Sequence, residues 1–463
     1  MTSSPGLGQS IAGGCDTIVA LGTAPGRSAI AVVRLSGEDA FGIAAKHIDP
    51  WPADSREASL CTVHDSGWIL DQAIVTVYVR PYSFTGEDVV EISTHGGHTV
   101  PASVIAALIG SGAREALPGE FTRRAVLNGK LDIVQAEAIG DLIDAESHAM
   151  QQVALGQLEG GLSSRIASIR ESVLSLESLL AYDIDFPEED DGPVSRDRVL
   201  QSANRVLESL DILLATIPVG QIVREGAITV IAGEPNAGKS SLFNTLLGEN
   251  RAIVTEIPGT TRDALEGVID AGRWPIRLID TAGLRESGDV VELLGIEMSE
   301  RYVARAHILL ACGESKDSMK RVGLILSRIS SAPVISVLTK SDLCVNEMLE
   351  RSDAEQPRYI SVSAVTGEGL DRLQNEIDVV LTETYGELTP ELPVLVRARH
   401  VQGINVARAE IAEFKSVWTA ESLPAPVAAV HLRTAAIALE TLIGAVSTED
   451  VLERVFSAFC VGK

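Results

Sequence analysis

The run Gly233-Glu-Pro-Asn-Ala-Gly238-Lys239-Ser240 has the spacing G-x-x-x-x-G-K-S, follows the apolar stretch AITVIA and opens SSLFNTLL. A strand, a glycine-rich turn and a helix N-terminus in that order make a phosphate cradle. Glycines let backbone N–H groups converge on phosphate oxygens, and the helix end adds positive potential. Lys239 supplies a charge for the β- and γ-phosphates, and the Ser240 hydroxyl can ligate Mg²⁺. Three later segments point to guanine. Asp280-Thr281-Ala282-Gly283 follows the strand-like PIRLI, where a Mg²⁺-linked acid and a γ-phosphate-sensing glycine belong. Thr339-Lys340-Ser341-Asp342 follows VISVL, and the Asp342 carboxylate can accept both N1–H and N2–H₂ of guanine, a pair that adenine lacks. Ser363-Ala364 follows YISV, where a base-closing loop belongs. In this order the set indicates a GTPase. Thr339 stands where such loops usually carry Asn. The loss of the amide puts guanine affinity, rather than base identity, in question.

For hydrolysis, Leu284 occupies the place where many small GTPases hold a water-orienting Gln, and leucine cannot orient water. Glu292, in LRESGDVVELLGIE, is a candidate, although the residues alone favour an exposed helix acid there. No arginine finger is signposted. Asn236 and the segment Ile253 to Asp263 (IVTEIPGTTRD) offer oxygen ligands instead, which suit a hard cation.

These groups need elements to hold them. Residues 16–130 mix short β-like runs (Ile30 to Leu35, Ala73 to Val79) with the helix-like Val104 to Leu108, which predicts an α+β domain. From about Asp132 apolar residues recur at three-to-four spacing over a long stretch, which predicts amphipathic helix as far as Asp185-Phe186-Pro187 and an acidic loop, then helix over Arg196 to Ala215. From Ala227 strand candidates Ile228–Ala232, Ile276–Ile279, Ile308–Ala311, Val334–Leu338 and Tyr359–Val362 alternate with helices, as in a mainly parallel doubly wound sheet. GELTPELP reads as a linker, and residues from Leu395 are helical again. The expected fold is therefore multidomain α/β, with an α/β domain inserted between two halves of one all-α domain.

Composition narrows the setting. The 463 residues carry 38 Lys+Arg against 64 Asp+Glu, a formal net charge of −26, which excludes capture of nucleic acid by bulk charge. The adjacent Arg123 and Arg124 are one place to look for a local basic contact. Cys15, Cys61, Cys312, Cys344 and Cys460 are scattered, without CxxC spacing, which suggests a reducing compartment rather than disulfides or zinc. No run of about 18 apolar residues marks a membrane span, and the N-terminus lacks a signal's features, so a cytoplasmic protein is expected. His95 and His98, separated by Gly-Gly, read as a structural turn rather than a metal site.

GEPNAGKSSLFNTLL, VTEIPGTTRDALEG, LIDTAGLRES and the terminal FCVGK together resemble the MnmE (TrmE) family of tRNA-modifying GTPases. So do DTIVALGTAPGRSAIAVVRLSG, SFTGEDVVEISTHGG and PGEFTRRAVLNGKLDIVQAEAIGDLIDA, so the resemblance spans essentially the whole chain. It implies an N-terminal folate-binding and dimerisation domain (1–130), a discontinuous helical domain (131–225 and 388–463, with the CVGK tail) and an inserted G domain (226–387). It further implies a homodimer and a heterotetramer with an MnmG-like FAD protein. Together they would modify C5 of the wobble uridine of certain tRNAs, with a 5-formyl- or 5,10-methylene-tetrahydrofolate as one-carbon donor. GTP hydrolysis would depend on K⁺-assisted G-domain dimerisation. The alternative is a regulatory or ribosome-assembly GTPase without modification chemistry; such a protein would typically carry a basic RNA-binding module, and none is seen.

By the same resemblance, GTP-binding residues fall on Asn236, Ala237, Gly238, Lys239, Ser240 and Ser241; on Thr255, Glu256, Ile257, Pro258, Gly259, Thr260 and Thr261; on Asp280, Thr281, Ala282 and Gly283; on Thr339, Lys340, Ser341 and Asp342; and on Ser363, Ala364 and Val365. K⁺ falls on Asn236, Thr255, Ile257 and Thr260, Mg²⁺ on Ser240 and Thr261, and the water-positioning glutamate on Glu292. Folate contacts fall on Arg34, Glu91, Lys130 and Lys463, and Cys460 is a candidate for help in the one-carbon chemistry.

Overall fold

The computed structural model describes residues 16–185, 195–249, 265–280, 301–343, 359–389, 393–420 and 423–444, and residues 452, 455, 456, 459, 461 and 462 of the tail. Contacts divide the chain into two compact units, one of Met1–Gly140 with Ile443–Lys463 and one of Asp141–Leu442.

In the first unit, strands β1 (Ile18–Leu21), β2 (Ile30–Ser36), β3 (Ile48–Asp49), β4 (Ser59–Asp65), β5 (Trp68–Tyr78), β6 (Val89–His95) and β7 (Arg114–Glu115) form one sheet in the order β3-β4-β5-β6-β2-β1-β7. The expected strands at Ile30 and Ala73 are present and longer than read. The sequence alternates, so one face of the sheet is apolar. Val33, Leu35, Val75, Val90 and Ile92 are buried there with Val104 and Leu108 of the helix Thr99–Gly110. Each such side chain contributes roughly 1.5–3 kcal/mol on burial. The register pairs Arg34 with Glu91 and Ile74 with Ser93 on the opposite face. Exposed Leu60 and Ile74, opposed in register, lie on that open face too. A helix from Glu120 to Leu127 follows, and a helix begins at Ile133. The tail returns to this unit: Leu452 and Phe456 are buried with Ile133 and Ala136. By contacts, the tail from Ile443 onward therefore clusters with the N-terminal sheet.

The long helical stretch is three helices: Ile133–Ile143, which starts in the first unit, and His148–Leu158 and Gly161–Asp185 in the second. The breaks have local causes that the apolar period does not reveal. The Ser147 hydroxyl accepts from Met150 N and caps the second helix, and Gly160, at φ +90°, separates it from the third. Helices Arg196–Leu214 and Ile217–Glu225 follow, and Ala398–Thr419 and Ala425–Ile443 complete the helical set. Residues 196–225 and Ala425–Ile443 have the length and hydropathy of membrane spans. Each buries an apolar stripe instead (Val199, Val206 and Leu210; Leu432, Ala435 and Leu439), as core helices of a folded domain do.

The second sheet comprises β8 (Ala227–Gly233), β9 (Leu265–Ala271), β10 (Trp274–Asp280), β11 (Ile308–Gly313), β12 (Val334–Leu338) and β13 (Tyr359–Ser361), in the order β13-β12-β11-β8-β10-β9. All pairs are parallel except β9 with β10. The five expected strands are all present; the antiparallel edge strand β9 was not read from the sequence. β11 is buried throughout, the mark of a central parallel strand covered on both faces. One core runs from β8, β10 and β11 into Val153, Ile222 and Val394, so the helices at His148–Leu158 and Ile217–Glu225 are built into the packing of this second sheet. The chain leaving that sheet is held by Gln157 Nε2 donating to Val394 O at 3.0 Å, Leu395 N donating to Thr216 Oγ1 at 3.1 Å, and a two-pronged Arg397–Asp141 pair at 3.0 and 2.7 Å. A Cβ at Gly220 would lie 2.0 Å from Leu395 O, so only glycine permits this approach.

Candidate functional site

The sheet order places β8 between β10 and β11, and the chain changes side there. That switch point opens a crevice outside the carboxyl ends of the strands. The phosphate loop lies in it. Asn236 (φ +64°) and Gly238 (φ +75°) adopt left-handed backbone, which Asn tolerates better than most side chains and Gly adopts freely. Such a turn aims successive N–H groups inward. Lys239, 7% exposed, donates to Gly233 O at 3.1 Å and Glu234 O at 2.9 Å, so its ammonium is folded over the loop it serves. Ser240 lies in the first turn of the helix Lys239–Glu249, and Asn236 is exposed at the loop's rim. Glu234, one residue past Gly233, is exposed and paired with Arg321 at 2.9 Å, and that guanidinium with the Ser318 hydroxyl holds its carboxyl below the usual range.

Asp280 ends β10 and is fully buried beside the loop, which suits an acid acting on a metal-bound water. Cys312 is buried with it. Burial pushes that thiol up to about 12, with Lys239 opposing and Asp280 adding to the shift, so it is an inert core group. Burial raises Cys61 as well, with Asp49 adding to it. On the far side, Ser341 N donates to Val362 O at 3.1 Å, and Ser363 Oγ donates to Asp342 Oδ1 at 2.7 Å. Val365 N and Thr366 N both approach Ser363 Oγ, at 3.3 and 3.2 Å, fixing the hydroxyl that fixes the carboxylate. Asp342 is thus exposed but oriented. Lys340 (φ +58°) turns out to an ion pair with Glu314. The structure therefore brings together Asn236 to Ser241, Asp280, Thr339 to Asp342 and Ser363 to Val365. Thr255, Glu256, Ile257, Pro258, Gly259, Thr260, Thr261, Thr281, Ala282, Gly283 and Glu292 lie outside the described residues, as do Cys460 and Lys463.

A second polar cluster sits on the open face of the first sheet. Arg34 Nε donates to Glu91 Oε1 at 2.9 Å, and the Arg34 Nη2–Glu91 Oε1 distance is 2.7 Å. Tyr78 OH reaches Glu91 Oε2 at 3.4 Å, and burial, then the Glu91 charge, raise the Tyr78 phenol. The rings of Phe84 and Phe121 flank the Arg34 guanidinium, each at 5.8 Å. Sequence reasoning missed Tyr78, Phe84 and Phe121; a strand, a loop and a helix bring them together only in the folded chain. Lys130 is exposed and donates to Pro81 O at 3.0 Å. A Cβ at Gly462 would lie 2.1 Å from Leu21 O, so the tail backbone is seated on the end of β1, one rung from the Ala20–Arg34 pair. Arg124 has a different role from the basic contact suggested for it. It is 8% exposed, and its guanidinium bonds Asp16, Glu87 and Glu120. His95 Nδ1 pairs with Asp71 at 2.8 Å, and no group of three His, Cys, Asp or Glu suited to a metal occurs among the described residues.

Comparison with known proteins gives the family. The family model for the TrmE N-terminus, described as a GTP-binding protein, matches residues 17–130, and the model for the MnmE helical domain matches residues 133–460. The tRNA modification GTPase MnmE of Aquifex aeolicus is 38% identical over 455 residues, spanning 97% of this chain and 100% of its own. The chain belongs to the MnmE family. The MnmE of Moorella thermoacetica is 39% identical over 466 residues, covering 97% of this chain and 99% of its own. Among solved structures, the G domain of the T. maritima FeoB iron transporter matches 33% of this chain and 96% of that one, at 25% identity and a TM-score of 0.26, too low to argue from. The chain is thus a GTP hydrolase of the MnmE family.

Proposed function

We propose that this MnmE-family chain is a K⁺-dependent GTPase that acts with an MnmG-like FAD protein to modify C5 of the wobble uridine of certain tRNAs, in the cytoplasm. The observation that carries the reading is the seating of Gly462 on β1 beside the Arg34–Glu91 pair. A switch GTPase has no use for a distant segment of its chain seated beside a second polar cluster, and a two-site enzyme does. Arg34, with Lys130 and Lys463, suits the carboxylates of a tetrahydrofolate, and Glu91 suits the donors of its pterin. The folate derivative would supply the one-carbon unit there, with Cys460 nearby in sequence. In the G domain Ser240 and Thr261 would hold Mg²⁺, Asn236, Thr255, Ile257 and Thr260 would hold K⁺, and Glu292 would orient water. The exposed apolar Leu60, Ile74 and Ile30 on the open sheet face support a homodimer formed through the N-terminal domain. The domain divisions at 130/131, 225/226 and 387/388 belong to the same proposal.

Deletion of the gene, followed by nucleoside profiling of bulk tRNA, tests it. Loss of the C5-modified wobble uridine is expected. An unchanged profile, with GTP turnover intact in the purified protein, would leave the regulatory GTPase as the better reading.

A further inference from the structure

Thr339 occupies the first position of the base loop, where an asparagine can divide its two N–H groups between the phosphate loop and the base. The threonine hydroxyl has one proton. Its Oγ1 lies 2.8 Å from Ala237 O and 3.2 Å from Gly313 O, and both are carbonyl acceptors. The residue is 3% exposed, and a Cβ built on Gly238 would contact its side chain at 3.5 Å. Its own N–H is also spent, on Gly313 O at 3.0 Å. The guanine edge nearest the first position of such a loop carries N7 and O6, both acceptors. A hydroxyl whose proton is committed to protein carbonyls has nothing to give them.

We infer that Thr339 is a positioning residue: its hydroxyl ties the phosphate loop to the end of β11, and it does not read the base. Guanine selection then rests on the Asp342 carboxylate as held by Ser363, with no help from the N7 edge. The base loop and the phosphate loop are coupled through this one hydroxyl, so its removal weakens nucleotide binding through the phosphates. This rests on guanine-nucleotide binding at this site.

The test compares GDP with 7-deaza-GDP, which carries C–H in place of N7, by calorimetry on the full chain with Mg²⁺. The wild-type protein should bind the two within twofold. Thr339→Val keeps the shape and removes the hydroxyl. It should lose about five- to tenfold for both ligands alike, the range of one net hydrogen bond. Thr339→Ser restores the hydroxyl and should stay within threefold of wild type for both. Thr339→Asn, with a second N–H, should gain affinity for GDP alone. A Thr339→Val loss confined to GDP would show that the hydroxyl reads N7 and would overturn the inference. So would a Thr339→Val variant that binds both ligands like wild type, or a Thr339→Ser loss as large as that of Val. Equal binding of ADP and GDP by the wild type is a separate failure: it would remove the guanine-site reading itself, and this inference with it.

Discussion

The phosphate loop and the Arg34–Glu91 cluster both present polar groups from the edge or face of a sheet, and they are made by opposite means. In the first, most working groups are backbone N–H groups aimed by two left-handed residues, Asn236 and Gly238, and a single buried lysine adds the charge. In the second, every working group is a side chain, and residues 57 positions apart meet because β2 and β6 pair in one register. A backbone site is sensitive to conformation and tolerant of many side chains. A side-chain site reverses that, and it is lost if the register slips by one residue, because every side chain then changes face.

The largest separation should come from Lys239→Ala. Loss of the one charge in a backbone site should cut GTP turnover by on the order of 10²–10³ and leave binding of 5-formyltetrahydrofolate within twofold. A parallel loss of folate binding would mean that the two sites are not independent. Glu91→Gln should do the converse. With the Arg34 clamp undone, folate affinity should fall by roughly 10- to 100-fold, the range for a hydrogen bond to a charged group, with GTP turnover unchanged. Asn236→Gly sharpens the backbone half of the contrast. Glycine adopts φ +64° without strain, so GDP binding should hold within about threefold while the acceleration of turnover by K⁺ over Na⁺ disappears. Retained K⁺ acceleration would move the cation away from the Asn236 side chain.

The smallest effect concerns acid. Ile228 N donates to His307 Nδ1 at 2.9 Å, which requires an unprotonated nitrogen, and burial holds this histidine below its ordinary value. The unfolded chain takes up the proton first, so the stability from neutral His307 is lost as pH falls past about 6.5. The first unit is pinned by carboxylates instead. Burial alone would raise Glu120 and Asp16, but Arg114 and Arg124 bring both below the usual range. Their contribution is present above about pH 4.5 and is lost only as pH drops through their lower folded values. Hydrogen exchange should therefore show β8 loosening at a higher pH than β1 and β2. Simultaneous loosening would remove the distinction.

This difference in construction also explains what could be read before the fold was known. The nucleotide site is legible because each segment directly follows its own strand, so spacing along the chain is spacing in space. Asp342 and Ser363 are the sharpest case: two motifs 21 residues apart end in one 2.7 Å bond. Arg34 and Glu91 carry no such local mark, and each alone reads as a surface charge. Arg124 was suggested as a basic contact because a pair of arginines in sequence gives no sign of the three carboxylates that the fold delivers to it. The helix breaks at Ser147 and Gly160 hide within an unbroken apolar period. Strand β9 hides because Glu266, Gly267 and Asp270 dilute its apolar run, and pairing with β10 supplies what its composition lacks.

The seat of Gly462 on Leu21 has a consequence for how the molecule is made. The N-terminal sheet emerges from the ribosome early, but Leu452, Phe456 and Gly462, which complete its packing, are encoded about 300 residues after Gly140. At 5–20 residues per second the sheet waits roughly 15–60 s for its last pieces. During that interval Ile133 and Ala136 lack their cover, and the Arg34–Glu91 cluster stands beside an unfinished wall. Completion of this cluster is thereby timed by synthesis of the second unit: a chain interrupted anywhere within residues 141–442 leaves the cluster uncovered.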